Sequence, residues 1–165
     1  VKKCMTRETG FCVVLLRGSM NQISSSKLPD HSPIGTYVEI VDFNQLENGL
    51  LGITVQGQCR IQILDRRKQE DELIIADIIE QTEVEESISL EPQYENIWRI
   101  LKDISKHPEI KKLELEIDFD NSSSVSYNLA SLLPLTSLDR QNILEFRSNV
   151  DRFDHLNKIV KQLGG

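Results

Sequence analysis

Three histidines, three cysteines and one run of alternating acids are the side chains equipped to hold a metal or move a proton, and their spacing supports neither role. His31, His107 and His155 lack the HExxH pairing that puts two imidazoles on one helix face, and His31 and His107 stand beside turn prolines, so all three are expected at the surface. The run from Asp118 to Ser122 opens like a calcium loop, with acids two apart. Position six is then Ser123 where that loop needs glycine, and position twelve is Leu129 where it needs a bidentate glutamate. Helix caps are the better use of Asp120, Asn121 and the serines. Cys4, Cys12 and Cys59 are widely spaced and form no CxxC, which points to separate buried thiols in a reducing compartment rather than to disulfides or zinc. The glycines build neither GxxxxGK[ST] nor GxGxxG, so no phosphate-cradling loop is written in the chain. Ser124 and Ser126 lie in no GxSxG context. No catalytic residue, cofactor site or metal site is assigned, and an enzyme is not expected.

Composition narrows the remaining classes. The 165 residues are 39% hydrophobic and 27% charged, which suits a globular protein of about one domain. No apolar run approaches the ~18 residues that span a bilayer, and the apolar run Phe11 to Leu16 is too short for a signal-peptide core, so a cytoplasmic location is expected. The net charge of −7 opposes a phosphate-binding surface, and no nucleic acid is expected as a partner. The one basic cluster, Arg66, Arg67 and Lys68, is bracketed by Asp65, Glu70, Asp71 and Glu72 and reads as a solvated turn.

The elements that would position any site fall into two halves. Phe11 to Leu16, Thr36 to Phe43, Leu50 to Gln56, Gln58 to Leu64 and Leu73 to Glu83 are rich in Val, Ile, Leu and Thr and bounded by turn residues, which predicts a mostly antiparallel sheet or barrel. The serine-rich connection from Arg17 to Gly35 reads as a mobile loop. A two-residue Asn48-Gly49 hairpin would set apolar residues beside polar ones. A three-residue loop, with Glu47 and Asn48 in a type I turn and Gly49 left-handed, pairs Phe43 with Ile53 and Val41 with Val55 instead. Beyond it, Cys59, Ile61 and Ile63 alternate with Arg60 and Gln62, predicting one buried and one solvated face.

From Glu91 the period becomes helical. Tyr94, Ile97, Trp98, Leu101 and Ile104 form one stripe, with Pro92 in the first turn and Pro108 past the end, and the helix is expected to pack on the sheet. Trp98 lies on that stripe, so it belongs to a core rather than to a ligand-stacking platform. Lys111 to Phe119 alternates and reads as extended. Pro134 cannot donate to the Ala130 carbonyl and disfavours helical geometry at Leu133, so the preceding helix ends there, its flanking leucines buried in the elbow. Thr136 and Asp139 resemble a capping box opening the next helix, with Ile143 and Phe146 inward. After a break near Ser148, Val150, Phe153, Leu156, Val160 and Leu163 form the stripe of a last helix.

Two blocks, Pro33 to Leu64 and Leu129 to Glu145, together resemble the amino-terminal domain of the ATP-dependent protease Lon. The features are Ile34-Gly35-Thr36 entering a strand, Val55-Gln56-Gly57 before the strand Arg60 to Ile63, and Leu132 to Leu135 before a helix bearing Gln141 to Glu145. The resemblance covers nearly the whole chain and implies an α+β fold: a PUA-like β pseudo-barrel, 1–90, followed by a C-terminal α-helical bundle, 91–165. It also implies a non-catalytic domain that binds unfolded or extended polypeptide, contributing to substrate recognition, with self-association left open. The chain resembles a stand-alone bacterial LON-domain protein or a piece of a longer one. Family members usually carry two strands and a short helix before the position of Gly10-Phe11, so further residues are expected upstream of Val1. RNA binding through the PUA-like barrel and small-molecule binding are the competing functions; the acidic charge weighs against the first. No binding-surface residue is assigned from sequence.

Overall fold

The apolar run Phe11–Leu16 forms strand β1, followed by β2, His31–Gln45, β3, Leu51–Lys68, and β4, Ile74–Glu80. They make one antiparallel sheet in the order β1-β2-β3-β4. The computed structural model describes residues 4, 9–17, 28–82 and 92–163, divided into two units, Val1–Thr82 and Glu83–Gly165.

β2 and β3 are longer than their sequence signals because bulges absorb what look like breaks, whereas β1 has the expected bounds and β4 is shorter than the expected Leu73 to Glu83, whose last residue lies outside the described ones. The loop expected up to Gly35 ends sooner: residues 18–27 lie outside the described residues, and from His31 the chain is already in β2. Pro33 fits there because the β1–β2 register shifts between Val14 and Leu16, where the missing N–H costs no regular rung. Likewise Gly57 does not end a strand. The register shifts between Tyr37 and Val38, leaving Gln58 as an extra residue, and the two predicted strands run on as β3. Asp65 to Lys68 also belong to β3, not to a turn; the turn is Gln69 to Leu73. Gly35 is required by close packing, since a Cβ there would stand 2.6 Å from the Val13 carbonyl oxygen.

Both hairpins use the same three-residue loop. Leu46 N–H donates to the Leu50 carbonyl at 2.8 Å and Gly49 N–H to the Leu46 carbonyl at 2.9 Å, with Gly49 at φ 80°. Gln69, Leu73 and Glu72 repeat the pattern, with Glu72 left-handed at φ 66°. The expected pair Phe43 with Ile53 is present; Val55 pairs with Ile40 rather than Val41, because Val41 is itself the extra residue of a bulge. Val38 and Ile61 are the buried apolar residues of the sheet. Arg60, expected on a solvated face, is buried as well.

The helical unit is built from α1, Glu95–Ser105, α2, Pro108–Lys111, α3, Ser122–Leu132, α4, Ser137–Glu145, and α5, Asn149–Leu163. The stripe of α1 is buried against helices of its own unit: Tyr94, Ile97, Trp98 and Leu101 share a core with Val125, Leu129, Ile143, Phe153, Leu156 and Val160. Pro92 lies in a turn just before α1, and Pro108 opens α2 behind a His107 cap. The chain from Lys111 to Phe119 is not a strand. Lys111 closes α2, a turn follows with Glu114 at φ 49°, and 115–118 are irregular. Only Ile117 and Phe119 of its alternating apolar residues reach the core; Leu113 and Leu115 are exposed.

The elbow forms as its residues dictate. Asn121 caps α3 by accepting the Ser124 N–H at 2.9 Å. Leu133 ends it at ψ 151°, its N–H still bonded to the Leu129 carbonyl. Leu133 is buried, while Leu132 and Leu135 pack partly covered against the core. Thr136 and Asp139 then form a reciprocal capping box. The break before α5 is pinned by buried Arg152, whose Nη2 donates to the Phe146 carbonyl at 3.1 Å and Nη1 to Asn149 Oδ1 at 2.8 Å. Of the α5 stripe, Phe153, Leu156 and Val160 are buried; Val150 and Leu163, at its ends, are exposed.

Candidate functional site

The groups with chemical potential are dispersed. Among the described residues no three His, Cys, Asp or Glu side chains converge to hold a metal, and no helix is long and apolar enough to cross a membrane. His31 places Nδ1 2.6 Å from the Ser32 carbonyl, His107 caps α2 by accepting the Glu109 N–H, and His155 is half-buried with its ring against Phe146. Asp118 and Asn121 organise the turn before α3: Asp118 Oδ1 accepts the Asp120 N–H while Asn121 caps the helix. Trp98 is a core residue, stacked on Phe153 at 4.8 Å and donating Nε1–H to the Phe119 carbonyl at 3.0 Å.

The cysteines are half-buried rather than fully buried. Cys12 and Cys59 both pair with Tyr37, one from each neighbouring strand. Two strand spacings of about 4.8 Å therefore separate them, too far for a disulfide. Burial, and then the charge of Cys59, push the Cys12 thiol above its ordinary value; burial and then Glu80 push the Cys59 thiol the same way. Both thiols are thus poor nucleophiles near neutral pH, because the reactive form is the thiolate.

What the sheet does present is an apolar surface. β1 pairs with β2 only as far as Phe11 with Val38, and β4 pairs with β3 only from Ile61 onward. Between Glu39 and Gly57, β2 and β3 have only each other as strand partners among the described residues and form a two-stranded arm. Register sorts its side chains by face. Ile40, Phe43, Leu51, Ile53 and Val55 share the face that begins at Val38, while Glu39, Asp42, Asn44, Thr54 and Gln56 share the other.

This segregation depends on the Val41 bulge. With strict alternation from Val38, Asp42 and Asn44 would fall among the apolar residues and Phe43 would face away; one extra residue resets the phase. Asp42 stabilises the bulge by accepting the Phe43 N–H at 2.8 Å. The device recurs in β3, where the register shifts between Ile63 and Asp65 and Asp65 accepts the Arg66 N–H at 2.8 Å. The shared sequence, Ile40-Val41-Asp42-Phe43 and Ile63-Leu64-Asp65-Arg66, is the signal that reading alternation alone misses.

The arm's apolar face is open. Phe43 is 56% exposed, Leu51 54% and Val55 39%, with Ile40 and Ile53 half-buried between them; Leu46 and Leu50 at the tip are exposed too. A depression of about 360 Å³ runs along the outer side of β2, lined by Cys4, Thr9 and residues Glu39 to Phe43. A cluster of large exposed apolar residues on one ribbon face is area whose covering is favourable, since it removes that area from water.

Residues 1–162 match the family described as the ATP-dependent protease La (LON) substrate-binding domain. The chain is 30% identical over 134 residues to Lon protease 1 of Bacillus subtilis (strain 168), an alignment that covers 77% of this chain and 16% of that protein. It therefore spans about a sixth of the length of that relative. Among solved structures, the Lon N-terminal domain protein from Xanthomonas campestris superposes with a TM-score of 0.70 at 21% identity, covering 94% of this chain and 78% of the other. The N-terminal domain of Mycobacterium avium complex Lon protease superposes with a TM-score of 0.57 at 17% identity, covering 88% and 87%. These likenesses place the antiparallel sheet followed by helices in one fold with those domains.

Proposed function

Because this chain belongs to the LON substrate-binding domain family, we propose that it is a non-catalytic module that holds unfolded or extended segments of other proteins, acting in the cytoplasm. The sheet is part of a PUA-like pseudo-barrel, and 1–90 and 91–165 act as its barrel portion and helical lobe. The observation that carries the reading is the β2–β3 arm, whose Phe43, Leu51 and Val55 stand exposed on one apolar face. An extended chain can lay alternate apolar side chains on such a face, gaining about 25 cal/mol for each Å² of apolar area removed from water. The partners are defined by exposed apolar residues rather than by one sequence. RNA is a poor fit, since the chain carries a net charge of −7 and its one basic cluster is engaged locally: Arg67 with Asp77 at 3.0 Å, Lys68 with Glu72 at 2.9 Å, and Arg66 with the Pro29 carbonyl.

Fluorescence anisotropy of a labelled, permanently unfolded polypeptide titrated with the chain tests the proposal, with a labelled RNA oligomer beside it. Saturable binding of the polypeptide and none of the RNA is expected. RNA binding that weakens steeply with salt, with no polypeptide binding, would replace this reading with the nucleic-acid one.

A further inference from the structure

Among the described residues β4 is an outer strand of the sheet, and only one side of its backbone is used. Gln69 N–H donates to the Leu73 carbonyl and Gln81 N–H to the Arg60 carbonyl, so the hydrogen-bonded positions facing β3 are Leu73, Ile75, Asp77, Ile79 and Gln81. The N–H and C=O groups of Ile74, Ala76, Ile78 and Glu80 therefore point away from β3. No hydrogen bond among the described residues engages them.

An edge of this kind invites strand addition unless it is blunted. The β2 edge of the arm is blunted twice, by the Val41 bulge and by the Asp42 carboxylate that accepts the Phe43 N–H. β4 has neither device. Its seven residues hold no extra residue, no glycine and no proline, and four of them are isoleucines. Ile74 and Ile78 are exposed on one face beside the edge and Ile79 on the other, so an added strand would cover apolar side chains on both faces.

Charge decides which chain fits. Asp77, in the middle of β4, pairs with Asp65 of β3 and is bound to Arg67 at 3.0 Å, so two carboxylates stand there with one guanidinium. A second copy added antiparallel along the whole of β4 would be centred on Asp77. The two Asp77 side chains would then face each other in a closely spaced pair, which is unfavourable. A chain with lysine or arginine at that place meets the opposite charge instead.

Resting on the polypeptide-binding reading above, we infer that the outer edge of β4 takes up an extended, proline-free segment of another protein as an added strand. Its apolar side chains lie beside Ile74, Ile78 and Ile79, and a lysine or arginine stands opposite Asp77. The arm holds side chains, whereas this edge holds backbone.

A labelled peptide of about nine residues, alternating valine with threonine around a central lysine, is titrated with the full chain while amide hydrogen exchange is followed residue by residue. In the free chain the amides of Ile75, Asp77 and Ile79 should exchange slowly and those of Ile74, Ala76, Ile78 and Glu80 fast. At about 90% occupancy the fast set should slow by about tenfold, because only the free tenth of the molecules exchanges. Ala76→Pro removes an outward donor without touching a bond to β3, and should weaken the peptide by about tenfold while Ala76→Ser binds like the parent. A glutamate at the peptide's centre should weaken binding a few-fold. Should the proline variant fail to fold, the alternating amide pattern of the parent decides. Peptide binding without slowing of the four amides, or undiminished in a folded Ala76→Pro, overturns the edge and leaves the polypeptide reading standing. Slow exchange of the four amides in the free chain, whether constant or rising with chain concentration, shows the edge already occupied and overturns the inference too. Equal affinity for the lysine and glutamate peptides overturns the choice made by Asp77. Failure of both this peptide and a permanently unfolded polypeptide to bind overturns the polypeptide reading with it.

Discussion

Phe153→Ala should remove most of the stability of the helical unit. Phe153 is fully buried on α5, stacked on Trp98 at 4.8 Å and tilted against Tyr94 at 5.4 Å. Truncating a buried phenylalanine costs about 3–5 kcal/mol through lost transfer free energy and the cavity left behind. Two ring pairs, each contributing about 0.5–1.5 kcal/mol beyond area, place this site in the upper half of that range. Phe153→Leu keeps most of the volume and forfeits mainly the ring pairs, so about 1–3 kcal/mol is expected. Trp98 is the only tryptophan and lies against the altered ring, so its emission reports on this core directly. With a urea m-value of about 1–2 kcal/mol per M, a loss of about 4 kcal/mol lowers the midpoint by roughly 2–4 M. An Ala variant whose midpoint lies within about 0.5 M of the parent, or a Leu variant as damaging as Ala, would refute this packing.

Gly49→Val should destabilise by about 1–2 kcal/mol and Gly49→Asn by much less, because a Cβ at this left-handed position meets nothing within 4 Å and the cost is purely conformational; unfolding midpoints that rank the variants otherwise would exclude the bulged turn. Leu133→Asp should cost several kcal/mol by placing a carboxylate in the core, whereas Pro134→Ala, at an exposed position, should change little; denaturant midpoints of both variants check the elbow. The raised Cys12 thiol keeps its proton to higher pH in the folded chain than in the unfolded one. Its contribution is therefore fully present below the ordinary value of 9.0 and lost as pH rises beyond it. Cys12→Ser should accordingly lose less stability than the parent between about pH 8 and pH 10, as measured by urea midpoints across that range.

Local chemistry was legible wherever one or two residues decide it. Pro134 stops α3, Thr136 and Asp139 cap α4, and Gly49 makes the bulged turn, because each rests on a backbone restriction or a short-range hydrogen bond that the residue types carry with them. Strand extents were less legible. Pro33, Gly57 and Asp65 look like breaks in one dimension and become bulge-associated positions within or beside long strands once a neighbour strand is present to absorb an extra residue. The alternation of Leu113, Leu115, Ile117 and Phe119 misled for the converse reason: among the described residues no strand lies beside it, and only its last two apolar side chains reach the helical core. Most of the arm's apolar face was legible, because the three-residue loop already pairs Phe43 with Ile53; what alternation puts wrong lies beyond it, where the Val41 bulge brings Ile40 rather than Val41 opposite Val55. The recurring Ile-x-Asp pattern at Ile40 and Ile63 is the trace it leaves in sequence.

The most direct measurement is the affinity of Phe43→Ser for a labelled unfolded polypeptide, read against Leu138→Ser, an equally exposed apolar position on α4. Phe43 is central to the arm's apolar face, and loss of a central aromatic anchor should weaken binding by about tenfold or more. The Trp98 unfolding midpoint should stay unchanged and the Leu138 variant should bind like the parent. Equal binding by the Phe43 variant and the parent would place the polypeptide somewhere other than the β2–β3 arm and contradict the account.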